Sequence, residues 1–281
     1  MRESTRTISL WKVAAVVPLL GAAEVSAGGH SIEVGEFSEF DPIVEINATD
    51  GDVGFHMLLD GDPWRIARVY DPKGRRLISG YAAGPLRRQG ITEFFLESAE
   101  PLCWDDPEEE DERIVTVSEF IKRFRAGEYK AFGWTIENVF LYSTGELTHA
   151  LPAAPEVRIE VDSEDEDGEV EVTVHFGPGD DLGRCAFDDA DIPDPASVPV
   201  VRWEVVVEPD DEAVEEAGLV FSKFTVQLLG RERSVEVPEE FLAPYLAAGI
   251  TEFKGEVGAK EASGNQTFTE IEFEIGEDEE D

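Results

Sequence analysis

Carboxylates are the most abundant side chains in this sequence that could do chemistry. Among its 281 residues, 63 are Asp or Glu and 23 are Lys or Arg, for a formal net charge of −40 at pH 7. Asn47, Asp50 and Asp52 surround Gly51 and place three oxygen side chains around one turn, a ligand type that Ca²⁺ prefers. The spacing lacks the glutamate at position twelve of an EF-hand. The turn is therefore predicted to be either a calcium site or a solvated hairpin loop. No cofactor other than calcium is predicted.

No catalytic pattern emerges from the remaining polar residues. A second acidic loop at 162–168 has the same two interpretations as the first. The histidines share no metal-binding spacing such as HExxH, and no GxSxG nucleophile motif is present. With 63 acids, carboxylate pairs arise by chance. We therefore predict no catalytic and no cofactor-binding residue.

Aromatic side chains offer a second kind of binding chemistry. Trp64, Tyr70, Tyr81, Trp104 and Trp134 all fall in the first half of the chain. Rings exposed on a β-sandwich can stack against flat apolar faces such as those of sugars. The three tryptophans are therefore the predicted ligand-binding residues, for a protein or carbohydrate partner. The alternative is that these rings belong to the core.

The acidity excludes some partners. Nucleic-acid binding depends on clustered Lys and Arg, and a chain with a net charge of −40 has a large excess of the opposite sign. An anionic membrane surface is disfavoured for the same reason. The acidity is otherwise typical of a well-hydrated surface.

The first 27 residues resemble a secretion signal. Three basic side chains precede a short apolar run at 13–23, and Val-Ser-Ala ends at Ala27 with the small residues that a signal peptidase reads. We predict a signal peptide at 1–27 and a secreted or periplasmic protein that is not inserted in a membrane after cleavage. The alternative is an uncut N-terminal anchor helix.

Two cysteines, Cys103 and Cys185, are too few for the disulfide framework of a tiny secreted domain. They could form one bridge that ties the two halves of the chain together. Two separate thiols are the interpretation that we favour, because spacing alone does not show that their Cα atoms approach closely enough.

The first half, 28–150, is predicted to be a β-sandwich-like domain. Asp-Gly pairs at 50–51 and 60–61, flanked by apolar runs, are typical of hairpin turns. One short helix is predicted at 117–124, where apolar residues recur at i, i+3, i+4 and i+7 after a capping residue at Thr116 or Ser118.

The second half, 151–276, alternates more regularly. It follows the proline-rich segment LPAAP at 151–155, which we take as the domain boundary. Seven short runs with a period of two predict seven strands and an immunoglobulin-like sandwich. The acidic tail at 277–281 is assigned to neither domain.

Residues 155–276 also resemble a fibronectin type III domain. The resemblance rests on VTVHFGP at 172–178, WEV at 203–205, LAP at 242–244, FKGEVGA at 253–259 and the turn EASGN at 261–265. Phe176 stands where that family usually has Trp, and Phe253 stands where it usually has Tyr. The resemblance implies a sandwich fold and says little about function, since such domains host many roles.

Together these patterns predict an all-β protein with two sandwich-like domains in tandem. The function that we expect is that of an exported, non-catalytic binding or structural-interaction protein, in contact with a surface, a matrix or a polymer. The alternative is a secreted hydrolase whose second half is an accessory fibronectin type III-like module.

Overall fold

The structure is a computed structural model that describes residues 32–104, 114–162, 170–185 and 192–276. The predicted signal peptide, the acidic tail and all but the first residue of the acidic loop at 162–168 lie outside these ranges. No helix in the described ranges is both long enough and apolar enough to cross a lipid bilayer. The compact unit that contains the strands begins at Val34.

The described chain is mostly β, in agreement with the predicted fold class. The strands of the first half are β1 (Val34–Gly35), β2 (Glu39–Asn47), β3 (Asp52–Tyr70), β4 (Arg76–Tyr81), β5 (Ile91–Glu97), β6 (Gly127–Thr135) and β7 (Phe140–Leu147). Those of the second half are β8 (Pro155–Asp162), β9 (Glu171–Pro178), β10 (Arg202–Pro209), β11 (Phe224–Leu229), β12 (Ser234–Val237), β13 (Glu252–Lys260) and β14 (Gln266–Glu274).

All seven strands predicted for the second half are present. They divide into a three-stranded sheet in the order β12-β9-β8 and four strands in the order β14-β13-β10-β11. Val172 and Val174 from the first sheet pack with Trp203, Val205 and Val257 from the second in one hydrophobic cluster. This is the layered arrangement of a β-sandwich, and membership of the fibronectin type III family stays a prediction.

The large sheet does not end at the predicted domain boundary. Its order is β1-β7-β6-β3-β2-β14-β13-β10-β11, with β4 and β5 also paired to β3. The last strand, β14, pairs in parallel with β2, where Gln266 lies opposite Glu45 and Phe268 opposite Asn47. The halves keep separate hydrophobic clusters but share one sheet.

The Asp-Gly pair at 50–51 forms the predicted turn, but the pair at 60–61 does not. Gly51 has φ of 78° and links β2 to β3. Gly61 lies inside β3, where that strand changes partner from β2 to β6. A Cβ on Gly61 would lie 3.1 Å from Phe37 Cδ1, so the glycine permits close packing there rather than a turn.

The predicted helix is confirmed as α2 (Val117–Arg123), with the Thr116 side chain accepting a hydrogen bond from the Glu119 N–H. Sequence patterns missed α1 (Leu86–Gln89), α3 (Asp211–Ala217) and α4 (Glu239–Leu246). The LAP segment at 242–244, one of those on which the fibronectin type III resemblance rests, lies within α4. Burial of Leu242 and Tyr245 on one side of α4 offsets the hydrogen bond that Pro244 cannot make.

The two cysteines form a disulfide bond, so the separate thiols that the sequence favoured are wrong. The Cα atoms of Cys103 and Cys185 are 5.4 Å apart. The segment after β9 turns back onto the first half, where Leu182 and Cys185 join its hydrophobic cluster. Spacing could not show this return, because it depends on where the chain goes after β9.

Asn265 joins the two halves through hydrogen bonds and is fully buried. Its Oδ1 accepts from the Val44 N–H at 2.9 Å. Its Nδ2 donates to the carbonyl oxygens of Thr148 and Ala150 at 3.1 and 3.2 Å. The β14–β2 pairing begins at the next residue.

Replacing Asn265 with Ala should lower the free energy of unfolding by about 2–4 kcal/mol, because buried backbone groups of both halves lose their partner. Urea denaturation followed by circular dichroism measures this change. Gln227→Ala, which removes exposed side-chain hydrogen bonds, is the control and should change stability by less than about 0.5 kcal/mol. Equal effects of the two variants would contradict the role given to Asn265.

Replacing Cys103 and Cys185 together with Ser should destabilise the protein by roughly 2–5 kcal/mol, since their sequence separation of 82 residues closes a long loop. Denaturation of the wild type with and without a reductant gives the same comparison without mutation. A thiol assay on the unfolded, unreduced chain should find no free thiol. Two reactive thiols per chain would show that the bond does not form.

Candidate functional site

A row of apolar side chains crosses one face of the first half. Ile66 on β3 lies opposite both Tyr81 on β4 and Trp134 on β6. Trp134 lies opposite Phe140 on β7, and Phe140 lies opposite Val34 on β1. Paired residues point to the same face of a sheet. Tyr81 is 74% exposed and Val34 is 67% exposed, so both ends of the row are open to solvent.

More aromatic rings lie beside this row and line a groove of about 470 Å³. We call it the aromatic groove and define it by Tyr70, Phe132, Trp134 and Phe140, with Arg68 and Lys130 among its other lining residues. The Trp134 and Phe140 ring centroids are 5.2 Å apart and those of Tyr70 and Phe132 are 5.5 Å apart. Contacts at these distances limit the movement of the rings.

A register shift in β3 decides which rings reach the groove. The pairing of β3 with β6 is irregular between Trp64 and Ile66. Trp64 consequently faces the core and is 1% exposed, which removes it from the predicted ligand-binding residues. Arg68 and Tyr70 follow Ile66 onto the groove side. Alternation counted along the sequence cannot detect such a shift.

Trp104 lies at the β2–β3 turn and does not line the aromatic groove. Its Nε1 donates to the Asp50 carbonyl oxygen at 2.9 Å. The guanidinium of Arg184 lies 4.7 Å from its ring centroid. Of the three predicted tryptophans, the structure therefore leaves Trp134 in the groove, together with Tyr70, while Tyr81 lies in the adjoining row. Sequence reasoning missed Phe132 and Phe140 as groove residues. Phe132 and Trp134 alternate along β6, as do Phe140 and Tyr142 along β7, and this alternation could have placed the four rings on one face.

The predicted calcium residues close the β2–β3 turn. Asn47 Oδ1 accepts from the backbone N–H groups of Thr49 and Asp50 at 2.9 and 3.0 Å. Asn47 Nδ2 donates to Asp50 Oδ2 at 3.0 Å. Asp52 is the first residue of β3. Calcium binding by Asn47, Asp50 and Asp52 stays a prediction, and these hydrogen bonds supply another use for the Asn47 oxygen.

A histidine and two glutamates converge beside this turn. His56 Nε2 lies 2.8 Å from Glu100 Oε1, and His56 Nδ1 lies 3.8 Å from Glu45 Oε1. Burial lowers the pKa of His56, but the hydrogen bond to Glu100 and the charges of Glu45 and Glu100 raise it by more, and the net shift is upward. Sequence spacing gave no sign of this cluster, because strand pairing and the return of the chain after β5 create it.

Several carboxylates lie on the sheet face that contains Glu45. We call this set the acidic strip and define it by Glu45, Asp52, Glu204, Glu256 and Glu270. Burial, followed by the charge of Glu100, raises the pKa of Asp52 to about 7. Burial, followed by the charges of Glu270 and Glu45, raises the pKa of Glu256 to about 7. Part of the protein's negative charge therefore lies on a half-buried face of the large sheet.

Comparison with known proteins identifies no family. No family model matches the chain, and no curated protein matches it. One similar solved structure belongs to a 1.5-MDa bacterial ice-binding adhesin, described for its retention at the host cell surface. It is 11% identical, with a TM-score of 0.26, over 86% of this chain and 65% of that one.

A second similar structure is a Ca²⁺-stabilized adhesin with which an Antarctic bacterium binds ice. It is 15% identical, with a TM-score of 0.25, over 85% of this chain and 49% of that one. The chain thus spans less than two thirds of either structure. Similarity at this level does not decide function.

The acidic strip makes stability depend on pH. Glu256 keeps its proton up to about pH 7 in the folded protein but loses it near its ordinary value of 4.5 when unfolded. A carboxyl whose pKa is raised by folding costs stability as the pH rises through this window. Replacing Glu256 with Gln should therefore reduce the loss of melting temperature between pH 5 and pH 8 by roughly 2–6 °C.

Thermal denaturation of both proteins across this pH range tests the expectation. Glu252→Gln on the same strand is the matched control, because Glu252 is exposed. Its pH dependence should equal that of the wild type. A wild-type pH dependence retained in Glu256→Gln would show that burial of this carboxyl has no effect on stability.

Proposed function

We propose that this chain is an exported, non-catalytic binding protein that contacts a carbohydrate polymer through the aromatic groove. The observation that carries the proposal is the apolar row from Tyr81 to Val34, which crosses five strands and stays open to solvent at both ends. Contiguous apolar groups that reach the surface often mark a binding site. Export rests on the predicted signal peptide.

Carbohydrate fits the composition of the groove. The apolar faces of sugar rings pack against aromatic side chains, while their hydroxyl groups need polar partners at the edge. Trp134 and Phe140 supply rings, and Arg68 supplies a guanidinium that forms no ion pair within the described residues. Lys130 adds a second cation, which is shared with Glu128 at 3.2 Å. Cations at this edge would also favour a polymer that bears carboxylates.

The runner-up, a secreted hydrolase, calls for two opposed carboxylates in a cleft of the first half. No carboxylate occurs among the described residues that line the aromatic groove. A larger groove of about 890 Å³ is acidic, but it lies in the second half, between Glu208 on β10 and Glu274 on β14. These placements support binding over hydrolysis.

Binding should be measured by affinity electrophoresis and on a glycan array, with the mature chain and with Trp134→Ala and Tyr81→Ala. Loss of one stacking ring should weaken binding by about 3–10-fold. Tyr81 is the safer position for a folded variant, since most of its side chain is exposed. Phe221→Ala, an exposed aromatic of the second half, is the matched control and should bind like the wild type.

Three results would overturn the proposal. Retained binding in both Trp134→Ala and Tyr81→Ala would move the site elsewhere on the chain. Release of reducing sugar from a bound polymer would show that the protein is a hydrolase. Equal weakening by Phe221→Ala would mean that the loss is not specific to the aromatic groove.

A further inference from the structure

We propose that Glu45, His56 and Glu100 bind a divalent transition-metal ion of the zinc type. Each of the three residues offers one ligand atom, and the three atoms lie within 4.8 Å of one another. They come from three places in the sequence: β2, β3 and the segment after β5. The inference is independent of the carbohydrate proposal, because none of the three residues lines the aromatic groove.

Strand register brings the donors together. In the β2–β3 ladder, Glu45 lies opposite Gly54, and Ile43 lies opposite His56. Glu45 and His56 are therefore diagonal neighbours on one face of the sheet. A Cβ on Gly54 would lie 2.2 Å from Glu100 Oε1 and 2.9 Å from His56 Nε2. Because Gly54 has no side chain, the Glu100 carboxylate and the His56 imidazole can meet above it.

Two glutamates share one histidine at this place, and the charge of Lys260, which pairs with Glu204, also acts on Glu45. The His56 side chain is 8% exposed, Glu45 is 21% exposed and Glu100 is 30% exposed. Within the described ranges, neither glutamate pairs with Lys or Arg, and His56 is the sole ion-pair partner of both. Bringing negative groups together with little solvent favours a bound cation.

The donor set selects the class of ion. Ca²⁺ and Mg²⁺ take oxygen ligands, whereas Zn²⁺ combines imidazole nitrogen and carboxylate oxygen at about 2.0–2.2 Å. Two such ligands in a tetrahedral site lie about 3.3–3.6 Å apart by simple geometry. One ion can use only one imidazole nitrogen, whereas His56 now contacts Glu100 through Nε2 at 2.8 Å and Glu45 through Nδ1 at 3.8 Å. The single donor atoms of the three residues lie within 4.8 Å of one another, so binding requires the hydrogen bond between His56 and Glu100 to open. Side-chain movements would complete three ligand positions, and water would supply the fourth.

Such an ion would have a structural effect. Glu100 lies three residues before Cys103, which is bonded to Cys185. Metal binding would therefore fasten the segment after β5 to the β2–β3 hairpin beside the disulfide bond. Protection against unfolding should increase with metal concentration, since only the folded chain assembles the three ligands.

Isothermal titration of the whole mature chain with Zn²⁺ at pH 7.5, after removal of metal by a chelator, tests the proposal. One equivalent should bind, and saturation at about 100 times Kd should raise the melting temperature by roughly 5–10 °C. Ca²⁺ at the same concentration should not displace the ion. Bound Co²⁺ should give visible absorption bands that His56→Gln removes, which reports on imidazole ligation directly.

Three variants and one control locate the site. Glu45→Gln, Glu100→Gln and His56→Gln should each weaken binding at least about tenfold. His175→Gln is the matched control, because His175 Nε2 also lies 2.8 Å from a glutamate, Glu160, without a second carboxylate ligand. It should bind like the wild type. If His56→Gln does not fold, Glu100→Gln decides, since that side chain is partly exposed.

The proposal is wrong if the wild type binds no Zn²⁺. It is equally wrong if Glu100→Gln and Glu45→Gln retain the full stoichiometry and affinity, because the ion would then lie elsewhere on the acidic surface. A Co²⁺ spectrum unchanged in His56→Gln would also exclude imidazole as a ligand.

Discussion

The parallel pairing of β14 with β2 is the contact on which the arrangement of the whole chain depends. It places β14 beside β2 and joins the strands of the first half to four strands of the second half in one sheet. Asn265 secures the junction, because its buried amide satisfies backbone groups of β2 and of the segment after β7. A buried side chain that meets all its hydrogen-bonding needs in this way favours one register over its alternatives.

The acidic strip follows from this junction. Glu45 lies on the first-half side and Glu256 and Glu270 on the second-half side of a single face. Because the carboxylates share a half-buried surface, burial and mutual repulsion raise the pKa values of Glu45, Asp52 and Glu256. Some of the negative charge therefore lies on partly buried side chains and not only on hydrated surface side chains. Its effect is concentrated where the two halves meet, and the Glu45–His56–Glu100 cluster lies at the same place.

The aromatic groove depends on a different local feature, the irregular pairing of β3. Before the shift, Trp64 is part of the core. After it, Ile66, Arg68 and Tyr70 face the groove, where β6 and β7 add Phe132, Trp134 and Phe140. One strand therefore contributes to the core, to the acidic face and to the groove along its 19 residues. Irregular pairing of this kind is common where a strand re-aims its side chains.

Local patterns in the sequence determined the strands of the second half, the helix capped at Thr116 and the turn at Gly51. These features depend on alternation, capping and turn chemistry between near neighbours. The sequence also included Trp134 and Tyr81 among the aromatic rings that could contact a ligand. Only the tertiary structure decided the bond between Cys103 and Cys185, the burial of Trp64, the sheet shared by both halves and the meeting of Glu45 with His56 and Glu100. Each of these depends on which strand lies beside which, and at what register. That outcome is set by burial and hydrogen bonding summed over the whole chain rather than by any short segment of it.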